Sequence, residues 1–112
     1  MSCVFCRISA GDIPADVVHQ TERVIAFRDL NPQAPTHVLV IPRAHFADAA
    51  ALAAADPAYA GEVLAVAADV ATKEGLSGGY RLVANTGADA GQTVDHLHWH
   101  LLGGRSLGWP PG

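Results

Sequence analysis

The run His96-Leu97-His98-Trp99-His100-Leu101-Leu102 carries an imidazole at every second position. In an extended strand successive side chains point to opposite faces, so this spacing predicts His96, His98 and His100 on one face and Leu97, Trp99 and Leu101 on the other. Imidazole titrates near neutrality and serves as nucleophile, proton donor or metal ligand. A single buried histidine is usually structural, and a His-x-His pair is often a metal clip. Three in register, backed by apolar residues that fasten the strand to a core, read as a functional site. The loop Asn85-Thr86-Gly87-Ala88-Asp89-Ala90-Gly91-Gln92-Thr93 leads directly into the run. Its glycines let backbone N–H groups approach a ligand closely, and Asn85, Gln92 and Thr93 place polar groups beside the imidazoles.

Cys3-Val4-Phe5-Cys6 is a second spacing with chemical meaning. Cys-x-x-Cys suits zinc, but a tetrahedral structural site needs two further ligands. A reduced, metal-free thiol pair and a redox pair are the alternatives, although the glycine and proline expected around a redox pair are absent.

These residues need a scaffold, and the remaining sequence reads as alternating strand and helix. Phe5 to Ser9 reads as one or two helical turns closed by Gly11. Val17 to Gln20 and Val24 to Phe27 are β-branched and aromatic runs joined by Thr21-Glu22-Arg23, a hairpin pattern. Asp29 to Pro35 holds two prolines and an Asn and reads as a loop. His37-Val38-Leu39-Val40-Ile41 is nearly continuous in apolar residues and bounded by Pro42, as a central strand would be. From Phe46 to Gly75 alanine dominates and predicts helix, split at Asp56-Pro57, with Asp as N-cap and Pro in the first helical position. Tyr59, Val63, Val66 and Val70 give the second helix one apolar stripe. Tyr80 to Ala84 reads as a strand, and the histidine run is the last. The expected class is α+β: a mostly antiparallel sheet of about five strands, one main helix and a short N-terminal helix.

A chain of 112 residues with 50% apolar content suits one domain, 1–112, with a real core. Seven basic against eleven acidic residues give a net charge of -4 without a Lys/Arg cluster. That argues against a nucleic acid polymer as partner and leaves room for a small phosphate-bearing ligand held by histidines and backbone amides. Met1 to Arg7 lacks the charged start and apolar run of a secretory signal, and no stretch has membrane-spanning length. The reading is a cytoplasmic protein without membrane partners, in which two cysteines serve as a thiol pair or metal ligands rather than as a disulfide.

The segment Gly91-Gln92-Thr93-Val94-Asp95-His96-Leu97-His98-Trp99-His100-Leu101-Leu102 resembles the signature of the histidine triad (HIT) family. Ile13-Pro14-Ala15, Ala26-Phe27-Arg28-Asp29, Pro32 to Pro42 and the ending Gly103 to Gly112 are similar to its Hint branch, so nearly the whole chain is covered. The resemblance implies a HIT-like homodimeric hydrolase that cleaves purine nucleoside 5'-phosphoramidates. A dinucleoside polyphosphate hydrolase, a nucleotidyl transferase or a nucleotide-binding scaffold are the rival readings. His98, central in the row, is the expected nucleophile, with its other ring nitrogen hydrogen-bonded to a carbonyl or similar acceptor. His100 is expected to donate to phosphate oxygens or the bridging atom, and Gly91 and Gln92 to add backbone or side-chain donors.

The resemblance also gives Thr93 a part in leaving-group departure and Asn85 a place near the phosphate. It implies that Asp29 accepts from the ribose hydroxyls and that Phe5, Ile8, Ile13, Phe27 and Leu30 wall the base, although each of these apolar residues could be ordinary core. His37 is expected to support the nucleophile strand by hydrogen bonding. Some family members bind zinc through such a cysteine pair with a histidine after the central strand and the first histidine of the triad, here His45 and His96. Zinc held by Cys3, Cys6, His45 and His96 would be structural, since protein fills all four positions, and catalysis would need no cofactor. The tail Gly108-Trp109-Pro110-Pro111-Gly112 forms neither helix nor central strand, because its prolines remove donors. In the Hint branch such a tail crosses the dimer interface and helps to shape the partner's active site.

Overall fold

The computed structural model describes residues 3–112; the part of the terminal reading that falls on Met1 and Ser2 lies outside the described residues. Five strands form one antiparallel sheet: β1 (Val17–Gln20), β2 (Val24–Arg28), β3 (Thr36–Pro42), β4 (Tyr80–Val83) and β5 (Trp99–Gly103), in the order β1-β2-β3-β5-β4. Three helices accompany it: α1 (Val4–Ser9), α2 (Ala49–Ala55) and α3 (Pro57–Lys73). The expected α+β class is the one observed. β3 is buried along its whole length at the centre of the sheet, which explains its near-continuous apolar sequence.

Alternation along the strands separates two cores. Val24, Ala26, Val38, Val40 and Leu101 face α3 and meet Leu52, Tyr59, Val63, Val66 and Val70. Ile25, Phe27, Leu39 and Ile41 face the other way and meet Phe5 of α1, with Ile8 packed against them. His37 on β3 and His100 on β5 point to this second face. The alanine-rich helical segment begins at Ala49 rather than Phe46, because the Asp48 carboxylate accepts from Ala51 N–H and starts α2 there. Asp56 ends α2 and caps α3 by accepting from Tyr59 N–H at 3.1 Å, with Pro57 at the start as expected.

The histidine run departs from its expected form in one respect. Regular pairing starts at Trp99, opposite Val40, so His96 and His98 precede β5 on irregular chain. The side-chain alternation nevertheless continues: Leu97 joins the core under α3, while the His96 and His98 rings lie against Phe5 on the opposite face.

Candidate active site and metal centre

Backbone groups that can only donate or only accept determine the proton positions on three imidazoles, and one of these rings sets a fourth. His98 Nδ1 lies 2.8 Å from the His96 carbonyl, an acceptor, so Nδ1 carries the hydrogen and Nε2 keeps its lone pair. Gln33 N–H donates to His37 Nδ1 at 3.0 Å, which leaves the hydrogen of the neutral ring on Nε2. That N–H donates to His100 Nδ1 at 2.9 Å, so the outer nitrogen of His100, Nε2, is a donor. The result is a bare lone pair on His98 beside an N–H on His100, with ring centroids 5.0 Å apart.

Burial keeps this relay neutral. His100 is pushed down to about 4 by desolvation, with the neighbouring His98 and His37 rings adding to the shift. His37, also buried, is lowered for the same reason, against the opposing pull of Asp29. The Asp29 carboxylate accepts from Asn31 N–H at 2.8 Å, and its second oxygen stands 3.5 Å from His37 Nε2.

His96 stands on the same face but belongs to a different cluster. It is fully buried, and its Nε2 lies 2.8 Å from the Pro42 carbonyl, so its lone pair is on Nδ1. That atom faces Cys3 Sγ at 3.3 Å and Cys6 Sγ at 3.6 Å, while His45 Nδ1 is 3.4 Å from Cys6 Sγ. Tetrahedral zinc with ordinary Zn–S and Zn–N bonds separates sulfur from nitrogen by about 3.5 Å, so the donor set fits. Burial and the adjacent Cys3 thiol raise the Cys6 thiol, so taking up a cation displaces a proton from it. Asp29, His37 and His100 also bring their donor atoms within 4.8 Å of one another. This second group fails the same test, because the Gln33 N–H leaves His37 Nε2 protonated and without a lone pair to share.

The other sequence-assigned residues divide. Phe5 and Phe27 are buried and meet edge-on at 5.7 Å, Phe5 meets His98 at 5.1 Å, and Ile8 packs with them. Ile13 lines a neighbouring surface groove of about 320 Å³ with Ile8 and Ile25, and Leu30 is fully exposed on its loop. Asn85 follows β4 two residues after Val83, which pairs with His100, and so stands across from the His98 segment.

Gly91 and Gln92 sit in the loop that leads into the histidine run. Gly91 N–H donates to Ala88 O and Gln92 N–H to Gly87 O. The Gln92 side chain accepts from Gly87 N–H and donates to Ala47 O and Val94 O. Their donors hold the loop together, because a short turn satisfies its amides internally when strand pairing does not. Thr93 is exposed in that loop and takes no part in the hydrogen bonds among the imidazoles. Gln33 was not among the expected site residues, since nothing in its local sequence shows that its amide meets a ring four residues later. Arg105 donates to Gln33 O at 3.0 Å and braces the same loop from the C-terminal segment.

The HIT domain model matches residues 10–107. The chain belongs to the HIT family. A 14 kDa zinc-binding protein of Zea mays is 48% identical over 112 residues, covering 97% of this chain and 87% of the maize protein. The crystal structure of a HIT family hydrolase from Legionella pneumophila superposes on this HIT chain with a TM-score of 0.95 at 47% identity, covering 99% of this chain and all of that one. A histidine triad nucleotide-binding protein from Candida albicans superposes with a TM-score of 0.84 at 33% identity over 97% and 83% of the two chains.

Proposed function

We propose that this HIT chain, acting over 1–112 as a single domain, is a hydrolase of the Hint branch that cleaves the P–N bond of purine nucleoside 5'-phosphoramidates. The observation that carries the reading is the His98 ring, whose Nδ1–H is held by the His96 carbonyl so that Nε2 stays unprotonated. The Nε2 lone pair attacks phosphorus, the P–N bond breaks, and the amine leaves with a proton taken from solvent, which the water of the second step returns. Water then attacks the nucleotidyl-His98 phosphorus and releases the nucleoside monophosphate and the free imidazole. His100 Nε2–H, directed by His37, stabilises the charge that develops on the phosphoryl oxygens or the bridging atom. Thr93 assists the leaving group, Asn85 lies near the phosphate, and Asp29 accepts from the ribose hydroxyls. Phe5, Ile8 and Phe27 form one wall of the base site, with Ile13 and Leu30 on its outer side. Gly91 and Gln92 add backbone or side-chain donors towards the phosphate.

Cys3, Cys6, His45 and His96 would hold zinc as a structural cross-link between α1 and the segment before β5, and with four protein ligands it would take no direct part in the reaction. The compartment in this reading is the cytoplasm, where thiols stay reduced for such a site. The assembly is a homodimer. Exposed Tyr80 on β4, at the sheet edge, and exposed Trp109 in the tail support a second copy on that side.

Turnover of adenosine phosphoramidate, guanosine phosphoramidate and diadenosine polyphosphates by purified protein tests the activity. Preference for a phosphoramidate supports the proposal; preference for diadenosine polyphosphates selects the dinucleotide hydrolase, and binding without turnover selects the scaffold. His98→Ala should abolish hydrolysis and leave binding of the monophosphate within about tenfold, because the lost group makes the covalent bond rather than ground-state contacts. Retention of most of the rate by His98→Ala refutes the mechanism.

A further inference from the structure

His96 connects the thiol cluster to the nucleophile through its own peptide. Its ring nitrogen Nδ1 faces Cys3 and Cys6 at 3.3 and 3.6 Å, and its carbonyl accepts from His98 Nδ1–H at 2.8 Å. The residue that offers a metal ligand is therefore the one that sets the tautomer and direction of His98.

This peptide lies outside the ladder, which begins at Trp99. Its neighbouring restraints are Leu97 N–H to Phe46 O at 2.7 Å, His96 Nε2–H to Pro42 O at 2.8 Å, and the contact with α1. α1 supplies a second connection. Cys3 is its N-cap, Cys6 lies within it, and Phe5 between them packs edge-on against His98 at 5.1 Å. At the far end of α1, Arg43 donates to Ser9 O at 2.9 Å. A helix of six residues has no stability of its own in water, so its position depends on such ties.

We propose that Cys3, Cys6, His45 and His96, bridged by a zinc ion, are positioning residues for His98: the cluster holds both the carbonyl that orients the nucleophile and the Phe5 wall beside it. The inference rests on the reading of His98 as nucleophile. Releasing the bridge frees the His96 peptide and α1, whereas the β2–β3 loop that carries Asp29 is held separately by Asp29 N–H to His37 O at 3.0 Å. Displacement of a reacting atom by about 1 Å costs up to about a hundredfold in rate. The loss should therefore fall mainly on the chemical step, with a smaller loss of nucleotide affinity through the Phe5 wall.

The test compares Zn²⁺-loaded protein with the same protein stripped by a chelator well below its unfolding temperature, and with His45→Ala, which removes an exposed ligand and leaves the His96–His98 peptide intact. Single-turnover hydrolysis of adenosine phosphoramidate, affinity for adenosine monophosphate and the ¹⁵N NMR signature of His98 are read together. Expected are a ten- to hundredfold fall in rate, roughly, with a smaller fall in affinity through the Phe5 wall, and a His98 ring that no longer holds the Nδ1–H tautomer alone. Restoring Zn²⁺ to the stripped protein should reverse both changes. Should stripping unfold the chain, His45→Ala decides on the same readouts. The proposal is overturned by failure to bind Zn²⁺, by an unchanged rate and His98 signature after stripping, or by a rate that falls while the signature stays. Activity surviving in His98→Ala defeats the nucleophile reading instead, and the NMR signature, scored without turnover, keeps the two failures apart.

Discussion

At the level of single residues, three carbonyl or amide groups convert imidazoles of the same type into different chemical species. The His96 carbonyl makes His98 a lone-pair donor, and the Gln33 amide makes His100 an N–H donor through His37. His37→Ala removes the donor to His100 Nδ1, and the expected result is turnover reduced by about tenfold or more with monophosphate affinity little changed, measured as kcat against Kd. The same burial gives stability a pH dependence of defined sign. His37 and His100 are neutral in the fold with lowered pKa values, His100 at about 4, while both titrate near 6.5 when unfolded. Between those values the unfolded chain binds more protons. Stability from these groups is therefore fully present above about 6.5 and is lost as pH falls through the folded value. Urea midpoints taken from pH 7.5 to 4.5 should fall over this window, and His100→Asn should flatten the decline; a midpoint constant with pH contradicts the buried neutral relay.

Secondary-structure elements divide the labour between the two faces of the sheet. α3 covers one face and contributes packing, with its start held by Asp56, which also pairs with Arg23 at the surface. Asp56→Ala removes the N-cap acceptor of Tyr59 N–H, so a loss of about 1 kcal/mol is expected in urea unfolding, with turnover at 25 °C unchanged because the site lies on the opposite face. A comparable fall in turnover would show that the two faces are coupled. Arg28 on β2 and Glu74 after α3 form a two-point ion pair at 2.7 and 3.1 Å that fastens the helix end to the sheet. The Arg28 guanidinium holds the Glu74 carboxyl below the usual carboxylate range. Arg28 is substantially exposed, so solvent screens the pair and its contribution is at the small end of such interactions.

For the whole molecule, exposed apolar groups include Tyr80 on the β4 edge and Trp109 in the tail, besides Val4, Val17, Leu30 and Leu64 elsewhere. Trp109 is 84% exposed, and Arg81 donates to Gly108 O at 2.6 Å, directing the tail past the β4 edge. A cleft of about 480 Å³ separates the Gly75 to Arg81 segment from Gly104 to Leu107. A second copy on this side would cover Tyr80 and Trp109, and light scattering should find a dimer of the 11.6 kDa chain at micromolar concentration; a monomer refutes it. Deleting residues 108 to 112 should change relative turnover across a series of amine leaving groups while His98 chemistry persists. Unchanged ratios would show that the tail takes no part in that preference.

Periodicity made much of this arrangement readable in advance. Two-residue alternation from His96 to Leu102 assigned the imidazoles to one face, Asp56-Pro57 marked the break between α2 and α3, and the apolar run ending at Pro42 marked the central strand. These patterns are local, because the period of a strand or the cap of a helix is expressed within a few residues. The partners of each imidazole are not local. Cys3 reaches His96 across 93 positions, and His37 meets His100 across 63. The resemblance already placed His96 with the cysteines and expected a carbonyl on the far nitrogen of His98, but register and packing alone determine that the Gln33 amide and the His37 ring set the His100 tautomer. Gln92 shows the same dependence: its side chain donates to Ala47 O, 45 positions away, a partner that no local pattern announces.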